Sequence, residues 1–259
     1  SPANYNRGRA YRDMGFDKIC FDTEFENKKY FENRAYATDE SLYENVLSWL
    51  KESDEVPQFI YLLTIQNHGG WDSNEEEMNI VHALNDYGEY DRQVDEYLSC
   101  IRLSDQAFKD FTDSLQSFDR DIIVCMVGDH GPDLAAKIMD DPNSDQGYIL
   151  RTCVPFVIWA NYDIQDSAKI NGKAISLNYL MPTILKIAKV RLSPYYEYML
   201  NLMDQVPVTT TAALYYDKEG NSYMYENKSK YTEMVNNYFN LEYNNLSDGR
   251  IQRLFDPYD

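Results

Sequence analysis

One stretch of this sequence, residues 121–132, restricts the possible fold more than any other. Residues 122–127 are six consecutive apolar residues, several of them β-branched, and a glycine follows directly. Such a run predicts a strand buried on both faces, as in the sheets of α/β proteins. The strand ends in a loop that opens with Asp129 and His130. Because open α/β sheets bind ligands at the carboxyl ends of their strands, this loop is a candidate site.

Asp129 and His130 are candidate metal ligands. A carboxylate oxygen beside an imidazole nitrogen is a donor pair that a divalent transition ion accepts. The alternative is a polar turn between a strand and a helix, since an Asp-His dipeptide occurs by chance in many proteins. Gly128 and Gly131 flank the pair and allow the backbone to approach a ligand closely or to adopt positive φ. The glycines and the buried strand favour the metal site.

A second apolar run leads to His68. Residues 58–65 predict another buried strand, which ends in the loop that contains His68. Between the two strands, apolar residues recur at helical spacing from residue 90 to residue 118. A strand, helix, strand unit joins parallel strands, so both strands are expected to end at the same sheet edge. His68 is therefore expected to face the same cleft as Asp129 and His130.

The remaining pattern predicts an α/β fold with a mostly parallel sheet flanked by helices. Further elements are expected as a short strand at 18–21, a helix at 39–51, a strand at 154–160, a helix at 177–188, a hairpin formed by 212–216 and 222–225, and a helix at 230–239. The composition shifts after Pro207. We therefore expect a main domain at 1–206 and a small hairpin-plus-helix subdomain at 207–259.

The charge of the chain excludes some partners. Its formal net charge is -19, whereas nucleic acids and anionic membrane surfaces bind basic faces. An anionic substrate would need a metal ion or an arginine to hold it. No apolar run approaches the roughly 20 residues that span a bilayer. The four cysteines are scattered without metal-ligand spacing: Cys20, Cys100, Cys125 and Cys153. Cys125, inside the buried strand, and Cys100, on the apolar side of a helix, are expected to be small core residues.

Four segments, in this order, resemble the lipoteichoic acid synthase and sulfatase branch of the alkaline phosphatase superfamily. They are Asn-Tyr-Asn-Arg at 4–7 with Met-Gly-Phe-Asp at 14–17, Leu-Thr-Ile-Gln-Asn-His at 63–68, Val-Gly-Asp-His-Gly at 127–131, and Val-Pro-Phe-Val-Ile-Trp-Ala at 154–160 with Leu-Met-Pro-Thr-Ile-Leu at 180–185. The resemblance covers about residues 4–200. It implies an alkaline-phosphatase-like fold.

The resemblance also assigns roles to individual residues. In that family the pair matching Asp129 and His130 ligates a divalent ion, usually manganese in the synthases and calcium in many sulfatases; magnesium and zinc are the other candidates. The histidine matching His68 contacts the substrate headgroup, and the arginine matching Arg7 binds glycerol phosphate. Tyr5 stands where the synthases more often have tryptophan, so the polyol that it would contact is left open.

The family's nucleophile is expected upstream of Ser1. The resemblance therefore implies a carboxyl-terminal part of the catalytic domain, from a parent protein on the outer face of the cell membrane. This segment is expected to be soluble, to reach the membrane only through an amino-terminal region outside it, and to be inactive alone. The implied activity is metal-dependent phosphoglycerol transfer or sulfate-ester hydrolysis, with an anionic ester of a polyol, lipid headgroup or glycan as partner. The alternatives are a phosphodiesterase or phosphomutase of the superfamily, and a catalytically empty domain that binds anionic glycans or scaffolds a complex.

Overall fold

The chain divides into two compact units, Ser1–Asn161 and Tyr162–Asp259. The computed structural model describes residues 4–21, 23–52, 56–73, 76–144, 147, 151–164, 174–209, 214–219, 221–224 and 229–248. No helix among these residues is long and apolar enough to cross a membrane.

The main helices and strands of the first unit come in the following order within the described residues. They are α1 (Arg7–Asp13), α2 (Asp39–Glu52), α3 (Asp91–Leu115), β1 (Ile123–Val127), α4 (Asp133–Ile138) and β2 (Phe156–Ala160). The helices predicted at 39–51 and 90–118 are confirmed as α2 and α3. Their apolar residues recur on one face, and that regularity made them predictable. Helices α1 and α4 are short and were not predicted.

Helices α2 and α3 pack on one another and on the strands. Val46 of α2 and Phe111 and Leu115 of α3 form the buried centre of this cluster. The ring of Tyr43 stacks on that of Phe111, with the centroids 4.6 Å apart. Trp159 of β2 is among the half-buried side chains that border the cluster. This layer of helices fixes the strands whose ends lead into the candidate site.

The mostly parallel sheet predicted from the sequence is not confirmed. Strands β1 and β2 pair antiparallel, with Ile123 opposite Ala160 and Val127 opposite Phe156. Both strands were predicted, but an apolar run in the sequence does not indicate whether the strand pairs parallel or antiparallel with its neighbour. The error arose from assuming that residues 58–65 pair with β1 through a crossover helix.

The strands predicted at 58–65 and 18–21 are absent as regular elements. No ladder within the described part of the chain includes either segment. Phe59 and Tyr61 are 67% and 55% exposed, which is incompatible with a strand buried on both faces. An apolar run becomes a strand only where a neighbouring strand supplies hydrogen bonds.

The second unit carries the predicted hairpin and helix. Its described elements are α5 (Leu180–Ile187), α6 (Pro194–Gln205), β3 (Val208–Thr209), β4 (Leu214–Tyr216), β5 (Ser222–Met224) and α7 (Thr232–Asp248). Strands β4 and β5 form the hairpin, and β3 adds an antiparallel edge. Residues 212, 213 and 225 of the predicted hairpin lie outside the described residues. Helix α7 continues beyond the predicted end at residue 239, and α6 was not predicted.

One apolar cluster joins the elements of the second unit. Tyr179, Leu202, Tyr215 and Val235 are all at most 2% exposed and belong to it. They come from the turn before α5, from α6, from β4 and from α7, so the elements on either side of residue 206 share a core. The predicted domains 1–206 and 207–259 stay a prediction.

The cysteines are free thiols. Cys100 is buried, as expected, and burial raises its pKa to about 11. Cys20 and Cys125 are half-buried. Cys153 is exposed. It lies in the loop before β2, outside the helical layer.

Candidate functional site

The loop after β1 is held against the segment that leads into β2. Gly128 donates its backbone N–H to the carbonyl of Pro155 at 3.1 Å. A Cβ on Gly131 would lie 2.3 Å from the carbonyl oxygen of Arg151, closer than any side chain can come. The glycines predicted to permit close approach do so, but what they approach is the segment 151–155 of the same chain. This packing fixes the direction in which Asp129 and His130 leave the strand.

Hydrogen bonds orient the carboxylate and the imidazole. Asp129 Oδ1 accepts the backbone N–H of His130 at 3.0 Å. His130 Nδ1 lies 2.8 Å from the carbonyl oxygen of Gly131, which can only accept, so Nδ1 carries a proton. The neutral ring therefore has its lone pair on Nε2, which is 3.7 Å from Asp129 Oδ2. Both side chains are mostly exposed, at 67% and 79% for His130 and Asp129.

Electrostatics favour the protonated form of the free His130 side chain. The Gly131 carbonyl raises the pKa of His130 above its usual value, and the Asp129 carboxylate raises it further. A cation that binds Nε2 would meet the same two groups, because both stabilise positive charge on the ring. The pair thus has the electrostatic character of a cation site.

His68 lines the same open pocket as Asp129 and His130. Arg151 and Thr152, from the segment before β2, and Asp133, the first residue of α4, are further polar residues of its lining. The convergence of the three predicted residues is therefore present, although the parallel crossover used to predict it is not. Arg151 was missed by the sequence analysis. Its guanidinium donates from Nε to the Pro142 carbonyl at 3.0 Å. The sequence offered one indication of Arg151: it lies just before β2, a strand that begins at the edge where the candidate site lies.

The backbone of the His68 loop is held by a buried arginine. Nη2 of Arg34 donates to the carbonyls of Gln66 and His68, at 3.0 and 2.9 Å. Nη1 donates to the Gly70 carbonyl at 3.1 Å and to Glu96 Oε1 at 2.7 Å. The Arg34 and Glu96 side chains are 2% and 4% exposed. One ion pair thus links the loop to helix α3.

Side-chain amides attach the same loop to α2 and α3. Gln66 accepts the backbone N–H of Asp39, the first residue of α2, at 2.9 Å. Its Nε2 donates to the Cys100 carbonyl at 3.2 Å and to Ser104 Oγ at 3.1 Å. Ser104 also donates to Asp39 Oδ2 at 2.6 Å. These bonds make the His68 loop a rigid part of the unit even though it has no regular secondary structure.

Tyr5 and Arg7, the other two predicted substrate residues, lie next to each other at the start of the described chain. Arg7 Cζ lies 5.2 Å from the centroid of the Tyr5 ring, a cation–π contact. Tyr5 and Asn6 have φ of 52° and 54°, the left-handed region that side chains rarely adopt. Two such residues in succession are strained, and strain of this kind clusters at functional sites.

Tyr5 and Arg7 are not among the residues that line the pocket. Arg7 is nevertheless close enough to influence Tyr61. Burial and then Tyr11 raise the pKa of Tyr61; Arg7 opposes them, and Asp129 adds to the rise. The charges of Arg7 and Asp129 therefore act on one hydroxyl group, which places the two residues in the same region of the unit.

The family of the chain follows from a comparison of its sequence with known protein families. A family model described as Sulfatase matches residues 2–190. The chain belongs to the sulfatase family. The match covers every residue of the pocket together with Tyr5 and Arg7.

Two curated relatives of this sulfatase-family chain come from Rhizobium meliloti (strain 1021). One is named for cyclic beta-1,2-glucan modification and is 30% identical over 211 residues, which are 74% of this chain and 31% of that protein. The other is the capsular polysaccharide biosynthesis protein RkpI, 28% identical over 142 residues, which are 54% of this chain and 24% of that protein. The chain thus spans less than a third of the length of either relative.

A solved structure supports the fold. The phosphoglycerol transferase GacH of Streptococcus pyogenes, in complex with sn-glycerol-1-phosphate, superimposes with a TM-score of 0.68 at 21% identity. The superposition covers 92% of this chain and 56% of that one. A mixed α/β chain with helices and small antiparallel sheets is consistent with the alkaline-phosphatase-like fold that the resemblance implied.

Divalent metal ions are general cofactors of this superfamily, and the donor chemistry of Asp129 and His130 fits one. Two bonds of about 2.1 Å meeting at about 90–110° separate their donor atoms by about 3.0–3.4 Å. The observed 3.7 Å between His130 Nε2 and Asp129 Oδ2 requires only a small rotation of exposed side chains. Within the described residues, no group of three or more His, Cys, Asp and Glu side chains could hold a metal. Asp129 and His130 are thus a pair of candidate ligands.

Proposed function

We propose that this chain forms the metal-binding and headgroup-binding side of an active site that acts on phosphate or sulfate esters of polyols or glycans. The reaction would be phosphoglycerol transfer or sulfate-ester hydrolysis. The observation that carries the proposal is the pocket in which His68, Asp129, His130 and Arg151 meet. A cation site, an imidazole and a guanidinium are the groups that an anionic ester requires.

The relatives support a glycan or polyol substrate. Two of them are named for cyclic glucan modification and capsular polysaccharide biosynthesis, and the structural neighbour was solved with sn-glycerol-1-phosphate. All three names refer to phosphate-bearing or carbohydrate molecules of the kind found in cell envelopes. We propose an envelope glycan or polyol as the substrate and the outer face of the membrane as the location of the parent protein.

In this proposal each residue has one role. Asp129 and His130 hold a divalent ion, with manganese the first candidate and calcium, magnesium and zinc the others. Such an ion, when bound, would lower the pKa of an attacking hydroxyl and neutralise charge on the transferring group. His68 donates a hydrogen bond to the headgroup. Arg7 binds nonbridging oxygens through its planar fork, and Tyr5 contacts the polyol.

The local cations matter because the chain as a whole repels anions. Its net charge is -19, so an anionic ester is disfavoured at long range. Attraction must come from charges within a few ångströms of the bound oxygens, where screening by salt is weak. The Arg151 guanidinium in the pocket and a bound divalent ion would supply that attraction.

Titration with Mn²⁺ tests the metal-binding part of the proposal. Isothermal calorimetry on the full chain should show one ion bound, and Asp129→Ala should weaken the affinity at least about tenfold, because it removes half of the ligand pair. Asp105→Ala is the matched control, since this carboxylate of α3 is 72% exposed and pairs with Arg102 at 3.4 Å on the same helix. Equal Mn²⁺ affinity in the wild type and Asp129→Ala would reject the assignment.

Titration with sn-glycerol 1-phosphate in the presence of Mn²⁺ tests the anion-binding part. Arg7→Lys should weaken binding, since an ammonium group cannot make the bidentate fork of a guanidinium. Arg9→Lys is the control: Arg9 lies on the same helix, with its side chain 73% exposed and paired with Asp13. Unchanged affinity in Arg7→Lys would assign Arg7 to the surface. Binding of the anion without any metal dependence would favour the catalytically empty, glycan-binding alternative.

A further inference from the structure

The imidazole of His68 is contacted by a tyrosine that the sequence analysis did not single out. The hydroxyl of Tyr36 lies 3.2 Å from His68 Nδ1. The two rings meet edge to face, with centroids 5.4 Å apart and an interplanar angle of 67°. A hydrogen bond and an edge contact together fix both the tilt and the rotation of the imidazole, which neither contact would do alone.

The backbone of His68 is fixed by the residue two positions before that tyrosine. Arg34 Nη2 donates to the His68 carbonyl at 2.9 Å, and the Arg34 guanidinium also lies 5.8 Å from the Tyr36 ring centroid. His68 donates its own N–H to the Ile65 carbonyl at 3.0 Å. The short segment 34–36 therefore holds the main chain and the side chain of His68 at once.

Tyr36 is in turn anchored on both sides. Arg34 is buried through its ion pair with Glu96 of α3. Ala37, directly after Tyr36, forms an antiparallel bridge with Tyr30. The Tyr36 ring itself is only half-buried. Because the Tyr36 ring is half-exposed, it contributes little to the core. Core packing therefore does not explain its contact with His68.

We infer that Tyr36 is a positioning residue, fixed by Arg34, which holds the His68 imidazole in the tautomer that donates a hydrogen bond from Nε2 toward the pocket. A phenol O–H is a stronger donor than a neutral imidazole N–H, so the Tyr36 hydroxyl donates and Nδ1 accepts. The ring proton then lies on Nε2. This tautomer presents N–H to a ligand oxygen, which suits the phosphate or sulfate oxygens of an anionic ester.

The inference rests on the proposed function for the nature of the ligand, but the tautomer is a property of the chain alone. In a histidine ring, the hydrogen bond that one nitrogen makes determines whether the proton lies on that nitrogen or on the other one. His130 shows the opposite case in the same pocket, since its Nδ1 donates to the Gly131 carbonyl and leaves the Nε2 lone pair for a cation. One histidine is thus arranged to donate to an anion and the other to bind a metal.

Nitrogen-15 NMR of the imidazoles of the full chain tests the tautomer. The spectrum is recorded at about pH 8.5, two units above the ordinary imidazole pKa, so that neutral rings dominate. His68 should show a protonated Nε2 in the wild type and a mixture of tautomers in Tyr36→Phe, which removes only the hydroxyl. Tyr30→Phe, at the half-exposed partner of the Ala37 bridge, should retain the wild-type pattern. A protonated Nδ1 in the wild type, or an unchanged pattern in Tyr36→Phe, would overturn the inference.

Ligand titrations show what the positioning is for. With Mn²⁺ present, Tyr36→Phe should weaken binding of sn-glycerol 1-phosphate by about two- to tenfold, the range for one neutral hydrogen bond. The Mn²⁺ affinity of Tyr36→Phe should stay at the wild-type value, because Asp129 and His130 are untouched. A parallel loss of both affinities would mean that the variant merely disturbs the fold, and would refute the inference. If the wild type itself does not bind the phosphate ester, the proposed function fails, whereas the NMR result still decides the role of Tyr36.

Discussion

Gly131 sets how closely the two sides of the candidate site approach each other. A Cβ at this position would lie 2.3 Å from the Arg151 carbonyl oxygen, and a backbone atom cannot move aside as a side-chain end can. The loop with Asp129 and His130 would have to shift away from the segment that carries Arg151. The glycine is therefore needed for the shape of the pocket, independently of any ligand.

We expect Gly131→Ala to lower the free energy of unfolding by about 1–3 kcal/mol, the usual cost of inserting a methyl group into a filled space. It should also weaken the Mn²⁺ binding that we propose, because Asp129 and His130 move. Gly69→Ala is the control, since its Cβ would meet only the Trp71 ring at an ordinary 3.6 Å. Urea unfolding and Mn²⁺ titration of both variants measure the difference. Equal stability of the two would show that the loop adapts without cost.

Arg34 and Glu96 are the residues whose removal should cost the most at the site. We expect Arg34→Ala to destabilise the chain by about 3–5 kcal/mol, because it leaves a buried carboxylate without its counter-ion. Arg102→Ala removes an exposed partner of Asp105 and should cost at most about 1 kcal/mol. Urea unfolding of both variants supplies the comparison. Similar small losses would mean that water or a shifted side chain replaces the guanidinium.

At this scale the sequence predicts residues that adjoin one another and misses most of those that meet only in the fold. His68 is an exception, because it was predicted to face Asp129 and His130, but from a parallel crossover that is not confirmed. Asp129 and His130 adjoin and follow an apolar run, so they could be identified. Arg34, Tyr36 and Glu96 could not, because nothing near them in the sequence marks a buried ion pair. One signal was present: Glu96 lies four residues before the buried Cys100, on the apolar face of α3. A charged residue at such a position needs a partner.

Helices were more predictable than strands in this chain. The pattern of α2 and α3 is internal to each helix, so the sequence contains all of the evidence for it. A strand depends on a neighbour elsewhere in the chain, which explains why residues 58–65 were predicted wrongly and why the mostly parallel sheet is not confirmed. Helix α6 was missed although Ser193 accepts the N–H of Tyr196 and Pro194 occupies the first turn, both of which are readable start signals.

Helix α6 contributes the centre of the second unit. Leu202 is 0% exposed and belongs to the cluster that also contains Tyr179 and Val235. We expect Leu202→Ala to cost about 2–5 kcal/mol of unfolding free energy, from lost burial and the cavity that remains. Leu177→Ala, at a 45% exposed leucine of the same unit, should cost far less. Thermal and urea unfolding measure the stability of both variants. Equal losses of stability in Leu202→Ala and Leu177→Ala would contradict the assignment of Leu202 to the core.

At the scale of the whole molecule, charge opposes the compact state. The 43 acidic and 24 basic residues give a net charge of -19. Folding brings these charges closer together, so their mutual repulsion is larger in the native chain than in the unfolded chain. Exposed ion pairs such as Arg9 with Asp13 and Lys109 with Asp113 offset little of it. The imbalance also makes local cations decisive for the binding of an anionic ester that we propose.

We therefore expect salt to stabilise the full chain, chiefly at low concentration. The Debye length falls from about 30 Å at 0.01 M to about 10 Å at 0.1 M, so most of the long-range repulsion is removed in that interval. Thermal unfolding in NaCl should show the melting temperature rising steeply at first and then levelling off above about 0.3 M. Stabilisation by exclusion of the salt from the protein surface would instead continue to rise at higher concentration, more with sulfate than with chloride. A melting temperature that falls as NaCl is added would show that attractive ion pairs outweigh the net repulsion.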